Sequence, residues 1–185
     1  INRAVPVQVQ GLPAGVGGAI AIAAGEAQSY AVMANGTVWA WGLNNYGQLG
    51  INNTDQQLTA VQVKDTADTG FLSGITSIAG GRYHAVALKN DGTVWVWGYN
   101  ADGVVGDGNT GNRITPAQAA ITNVVAISAG SYHVRARKSD GTIWGWGYNG
   151  YGQLGDGTTT SRYWPVAVTG LSNATPAPTR PTWNA

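Results

Sequence analysis

Cysteine is absent from the 185 residues, so neither a disulfide nor a thiolate metal site is open to this chain. Glutamate, phenylalanine and methionine occur once each. Charged residues make up 10% of the chain, against about 25% in an average soluble domain. Solubility therefore rests on Asn, Gln, Ser, Thr and exposed backbone. The ten Lys and Arg are scattered and the formal net charge is +1, which leaves no footprint for nucleic acid or for anionic lipid. No run approaches the roughly 18 apolar residues of a membrane span. A Gly-x-Ser-x-Gly elbow and a Gly-Lys-Thr or Gly-Lys-Ser phosphate loop are both missing. With one Glu, and with Asp placed mostly in turns, no nucleophile, base and acid stand together. The composition reads as a non-enzyme without a cofactor. Few Lys and Glu, with no Cys, also suit a secreted or cell-surface bacterial protein.

What the chain does have is glycine, 28 residues, and tryptophan, eight. Six of the Trp lie in a segment that recurs three times. Gly36-Thr-Val-Trp-Ala-Trp-Gly42 returns as Gly92-Thr-Val-Trp-Val-Trp-Gly98 and as Gly141-Thr-Ile-Trp-Gly-Trp-Gly147. The spacings are 56 and 49 residues, from Trp39 to Trp95 and from Trp95 to Trp144. Short apolar runs and Gly-rich turns at this period are the mark of a propeller-type array.

Aligned, the copies give one unit, placed at about 5–58, 59–114 and 115–171. It is set to open on an extended piece: Pro6-Val-Gln-Val9, Ala60-Val-Gln-Val63, Pro116-Ala-Gln-Ala119, with a fourth copy at Pro165. Two short strands follow, then Asn35-Gly36, Asp91-Gly92 or Asp140-Gly141, then the Trp strand. Asn-Gly and Asp-Gly predict two-residue type I′ hairpins, whose central positions both take positive φ. The unit thus offers four short strands, and the chain reads as all-β, an array of about three four-stranded blades. Residues 172–185, rich in Pro and Thr and holding Trp183, read as a tail or linker.

Alternation puts Trp39 and Trp41 on one face of their strand, as it does Trp95 with Trp97 and Trp144 with Trp146. All six are expected in the core. A fully buried indole removes roughly 150–250 Å² from water, about 4–6 kcal/mol gross. His84 and His133 align with Gln28, and a position that accepts Gln reads as structural rather than catalytic or metal-binding. Arg135 and Arg137 stand where Tyr30 and Val32, or Val86 and Leu88, stand in the other copies. Unpaired guanidinium groups are not buried in a blade, so these two either form a solvated or internally paired edge or are candidates for partner contact. Arg82, in the loop before His84, reads as solvated. There are 31 positions from Gly50 to Gly81 but 24 from Gly106 to Gly130, and the extra residues carry Phe71 and Leu72. Insertions in arrays map to surface loops, which makes both residues contact candidates, as is Trp164, unless they tuck over the blade. Tyr46, Tyr99 and Tyr148 are candidates for stacking on carbohydrate.

Ala79-Gly-Gly-Arg-Tyr-His-Ala-Val-Ala-Leu88, Asp91-Gly-Thr-Val-Trp-Val-Trp-Gly98 and Tyr151-Gly-Gln-Leu-Gly-Asp-Gly157 closely resemble the repeats of the regulator-of-chromosome-condensation family in its bacterial form. The resemblance runs over roughly residues 5 to 171. It implies a β-propeller of four-stranded blades, usually seven, acting through protein contacts as an inhibitor or as a guanine-nucleotide exchange regulator. Three repeats fall short of the four to eight blades of a closed ring, so either the chain is a piece of a longer propeller, or exposed sheets at either side associate with further copies or a companion propeller segment.

Overall fold

The computed structural model describes residues 4–171. The tail at 172–185, with Trp183, lies outside the described residues.

Twelve strands form three antiparallel four-stranded meanders. Sheet 1 runs β1 (Ala19–Ala24), β2 (Gln28–Met33), β3 (Val38–Gly42) and β4 (Gln57–Gln62). Sheet 2 runs β5 (Ile75–Gly80), β6 (His84–Lys89), β7 (Val94–Gly98) and β8 (Arg113–Gln118). Sheet 3 runs β9 (Val124–Ala129), β10 (His133–Lys138), β11 (Ile143–Gly147) and β12 (Arg162–Ala167). The sheets stack face to face in chain order, with β1 against β5 and β5 against β9. The fold is the all-β blade array that the period and the hairpin dipeptides indicate.

Two details differ from the sequence reading. The extended pieces set at the head of each unit pair backwards: Ala60 to Gln62, Pro116 to Gln118 and Pro165 to Ala167 lie in the outer strands β4, β8 and β12, next to the Trp strand that precedes them. Pro6 to Val9 form no strand, although the Gln10 carbonyl accepts from the Ala60 amide at 2.9 Å. The hairpins before the Trp strands are not type I′. Only Gly36, Gly92 and Gly141 take positive φ (79°, 80° and 87°), while Asn35, Asp91 and Asp140 do not. The Gly36 amide donates to the Met33 carbonyl and the Met33 amide to the Thr37 carbonyl, which makes a three-residue loop with a glycine bulge. The side chain decides between the two turns. Asn35 Oδ1 accepts from the Thr37 amide and hydroxyl (3.1 and 2.7 Å), and Asp91 and Asp140 do the same for Thr93 and Thr142.

Strand alternation gives each sheet two unlike faces. The face toward the next sheet carries Tyr30, Val32, Val38 and Ala40 in sheet 1, and the branched residues Val86, Leu88, Val94 and Val96 in sheet 2. The opposite face carries the Trp pair. Of the six Trp expected in the core, Trp97 is buried against sheet 1 and Trp146 against sheet 2, Trp95 and Trp144 are half-buried at the edges of the two cores, and Trp39 and Trp41 belong to neither, because no described sheet covers their face. Leu49 and Val105, from the loops after the Trp strands, fill the two inter-sheet cores, and Leu154 is buried in the third such loop.

Those loops are tied down by a buried asparagine. Asn44 Nδ2 donates to the carbonyls of Asn53 and Asp55, and its Oδ1 accepts from the Leu49 amide at 2.8 Å. Asn100 and Asn149 repeat the arrangement on Asn109 with Gly111 and on Thr158 with Thr160. In all three asparagines both ends of the amide are satisfied, which makes their burial tolerable.

Candidate functional site

The turns β1–β2, β5–β6 and β9–β10 gather at one end of the stack, and the loops after the Trp strands reach the same end. Glu26, Arg82 and Tyr132 stand in the three turns. Arg82 holds the Glu26 carboxylate with Nε and Nη2, and its Nη1 donates to the Tyr132 hydroxyl at 2.9 Å. One guanidinium thus links all three sheets. Its plane also sits 5.0 Å from the Tyr83 ring and 5.8 Å from the Tyr132 ring, within cation–π reach. Arg82 is exposed, as its sequence reading has it, and is in addition tied to partners from the two neighbouring repeats. The bond to Arg82 holds the Glu26 carboxyl below the usual carboxylate range, and Glu26 in turn pushes the guanidinium further up.

Around this centre the tyrosines form a continuous line. Tyr46 contacts Tyr83 (5.0 Å between centroids) and Tyr99 (5.6 Å), and Tyr99 contacts Tyr132 (5.5 Å). Tyr99 also donates to Asp102 Oδ2 at 3.1 Å, and burial together with that carboxylate pushes its phenol up to about 12. A cleft of about 570 Å³ opens beside the line between Glu26, Arg82 and Tyr132, floored by Gly25, Gly81 and Gly130. These glycines are required by contact: a Cβ on Gly81 would stand 2.0 Å from the His84 ring, and one on Gly130 2.1 Å from that of His133.

The structure sorts the sequence candidates. Tyr46 and Tyr99 join the rim, but Tyr148 stands apart and pairs with exposed Tyr151 at 6.1 Å. Leu72 is buried in the first core because the inserted loop folds back, with the Leu72 amide on the Val63 carbonyl. It is therefore withdrawn as a contact residue. Its neighbour Phe71 is half exposed, with Lys64 Nζ 5.2 Å from its ring. Trp164 lies over Gly108 and keeps an exposed edge. Arg137 is exposed, whereas Arg135 is half-buried and donates to the Gln153 carbonyl. His84 is buried without a partner for either nitrogen, and burial, then the neighbouring His133, push it down to about 3. His133 is half-buried and also lowered. Tyr83, Tyr132 and Glu26 were missed by sequence reasoning. The Arg-Tyr-His and Ser-Tyr-His triplets at the same place in two repeats were the available signal.

Among the described residues no three His, Asp or Glu cluster as metal ligands, and no helix is long and apolar enough to cross a membrane. The groups at the rim can bind, through aromatic faces, hydroxyls and one tethered guanidinium.

The regulator of chromosome condensation (RCC1) repeat model matches residues 35–88, 91–136 and 140–178, and a second model of the same description matches 19–48, 75–104 and 124–153. The chain belongs to the RCC1 repeat family. RCC1 relatives similar to it include a secretion-regulating guanine nucleotide exchange factor of Bos taurus, 38% identical over 82 residues, which are 44% of this chain and 17% of the relative. Protein pim1 of Schizosaccharomyces pombe is 40% identical over 49% of this chain and 18% of its own length, and the ultraviolet-B receptor UVR8 of Arabidopsis thaliana is 33% identical over 55% and 22%. Among solved structures, human WBSCR16 superposes with a TM-score of 0.68 at 26% identity, over 82% of this chain and 40% of that one. Prp20p of Saccharomyces cerevisiae, described with its binding to Gsp1p and histones, gives a TM-score of 0.68 at 23% identity over 80% and 37%. This RCC1 chain spans about a fifth of these curated relatives and about two fifths of the solved chains.

Proposed function

We propose that this chain is a non-catalytic binding and scaffold module that works outside the cell, in a bacterium, and holds a partner protein on its tyrosine and arginine rim. One observation carries the reading: Arg82 is fixed by Glu26 and Tyr132 amid Tyr46, Tyr83 and Tyr99. Tyr and Arg are the residues that anchor protein interfaces, and here their side chains are already ordered, which lowers the entropy cost of docking. The absence of cysteine and the low charge support an extracellular site. Carbohydrate fits less well, because Tyr46 and Tyr99 meet at 86° and offer no flat platform.

The test compares the wild-type protein with the Tyr46→Ala/Tyr99→Ala variant as bait in culture medium. The expected outcome is a protein retained by the first and lost with the second at unchanged melting temperature, alongside a blank glycan array. Retention that ignores these substitutions, or glycans that bind only through them, overturns the reading. Regulation of guanine-nucleotide exchange is the second reading, favoured by what the bovine relative is called. It requires faster release of labelled GDP from a small GTPase, and it fails if a panel of GTPases shows none.

A further inference from the structure

The contact that joins sheet 1 to sheet 2 is made again, in the same register, between sheets 2 and 3. Trp97 Nε1 donates to the Gln48 carbonyl at 2.9 Å, and Trp146 Nε1 donates to the Val104 carbonyl at 2.7 Å. The Glu26 amide donates to the Arg82 carbonyl, and the Arg82 amide to that of Ser131 (3.4 and 3.0 Å). The Asn52 amide donates to Ile114 and the Gly108 amide to Tyr163 (3.0 and 2.9 Å), each a loop resting on the outer strand of the next sheet.

Both outer faces hold one half of this contact. On sheet 1 the Trp41 indole has no acceptor among the described residues, and Ile22 is 79% exposed where its counterpart Ile78 is 7% exposed. Leu58, at the place of Ile114, is 87% exposed. On sheet 3 lie the missing complements: the Gln153 carbonyl for the indole, the Ser131 amide for the Glu26 carbonyl, and the Gly157 amide for the Leu58 carbonyl. None of the three receives or makes its equivalent bond among the described residues.

We infer that sheet 1 of one copy docks on sheet 3 of a second copy, with Trp41 donating to the Gln153 carbonyl. The occupant is a second copy because each half of the contact finds its complement in this same chain and in the spatial order of the two internal contacts. Arg135 does not oppose this. In sheet 1 the Gln48 carbonyl accepts from both Trp97 and the Tyr30 hydroxyl (2.7 Å). Arg135 takes the place of Tyr30 on Gln153 and leaves the second lone pair of that carbonyl for an indole. Tyr30 meets Trp97 edge-on at 6.2 Å, and Arg135 would meet Trp41 there as a cation against a ring. Arg137 is the one unfavourable group, because no acid stands on the sheet 1 face. The contact is head to tail, so two copies bring six sheets, within the four to eight of closed propellers. This inference extends the scaffold reading but rests on different faces, so the two are measured apart.

Sedimentation of the 185-residue protein over a concentration series tests it. The wild type is expected to form dimers or longer head-to-tail assemblies. Ile22→Lys on the head face, which sets a further cation against Arg137, and Arg135→Glu on the tail face each weaken association by about tenfold or more, Trp41→Phe by roughly tenfold, and Arg137→Leu tightens it. An equimolar mixture of Ile22→Lys and Arg135→Glu recovers one sound head-to-tail contact and so forms a heterodimer. A wild type that stays monomeric overturns the inference, and so does a mixture that gains nothing over its components. The Ile22→Lys protein keeps the rim, so loss of end docking and loss of rim binding are read separately.

Discussion

The two inter-sheet contacts share one backbone plan but are not equally well satisfied. Between sheets 1 and 2, Gln28 Nε2 donates to the carbonyls of Gly81 and Arg82 (3.1 and 3.0 Å), and the Tyr30 hydroxyl reaches the Gln48 carbonyl. Between sheets 2 and 3, His84 takes the place of Gln28 with no partner for either nitrogen, and Val86 takes the place of Tyr30. An amide side chain bends to meet two carbonyls, while an imidazole lying flat on Gly81 does not. The second contact keeps the shared backbone and indole bonds but lacks these side-chain ones, so it relies more on apolar burial, and it contains a base that burial keeps neutral.

The widest separation is expected between tryptophans that look alike in sequence. Trp97→Ala should cost about 3–5 kcal/mol in chemical denaturation, because it opens a cavity and strips a donor from the Gln48 carbonyl. Trp41→Ala, measured at concentrations where the chain is monomeric, should cost well under half of that, since its face is uncovered. Equal losses would mean that the outer face is packed as tightly as the inner one.

Acid sharpens the comparison next. His84 titrates at about 3 in the fold and near 6.5 in the unfolded chain. Below pH 6.5 the unfolded state binds the proton first, so stability is whole above 6.5 and falls as pH drops toward 3. The slope contributed by this one group is about 1.4 kcal/mol per pH unit. His84→Gln, which copies sheet 1, should remove that slope from the pH dependence of the melting temperature. A slope that persists unchanged would place the acid sensitivity elsewhere.

Smaller again is Tyr30→Phe. It removes the second donor from the Gln48 carbonyl while leaving Trp97 in place, and should cost about 1 kcal/mol. The corresponding exchange in sheet 2, Val86→Tyr, adds bulk to a closed core and should destabilise, despite supplying the donor that sheet 2 lacks. A stabilised Val86→Tyr protein would show that the second core has room that the first does not.

Much of this was legible in the residues. The Trp pairs, the Gly-bounded strands and the repeat length are local patterns, and each specifies a strand and its faces. The phase of the repeat was not legible, because a repeating sequence has no marked origin and only pairing shows that Ala60 belongs with the Trp39 strand. Asn-Gly and Asp-Gly announced a hairpin but not its type, since both turns place Gly at positive φ and the Thr37 hydroxyl decides. Arg82 was legible as an exposed loop residue, but its partners were not, because they are 56 and 50 residues away, in other repeats. Phe71 and Leu72, adjacent in sequence, point to opposite environments, and strand alternation does not settle which one is buried in a loop. The sheet complementarity was visible only once Gln48 and Val104 were seen as acceptors, since a backbone carbonyl leaves no trace in side-chain identity.

The glycine-bulge turn also bears on how the protein ages. Asn-Gly is the dipeptide most prone to lose its side-chain amide, and Asn35 sits in an exposed turn, unlike Asn149, which precedes Gly150 but is locked by its hydrogen bonds. Attack of the Gly36 nitrogen on the Asn35 side-chain carbonyl expels ammonia and closes a succinimide; where water opens it to aspartate, the first hairpin takes the form that the second and third already have, and where it opens to isoaspartate, the commoner product, an extra methylene enters the backbone of the turn. At this perishable turn one of the two products of decay is thus already in use in the other repeats, at the cost of a single added negative charge, while the other would unseat the glycine bulge.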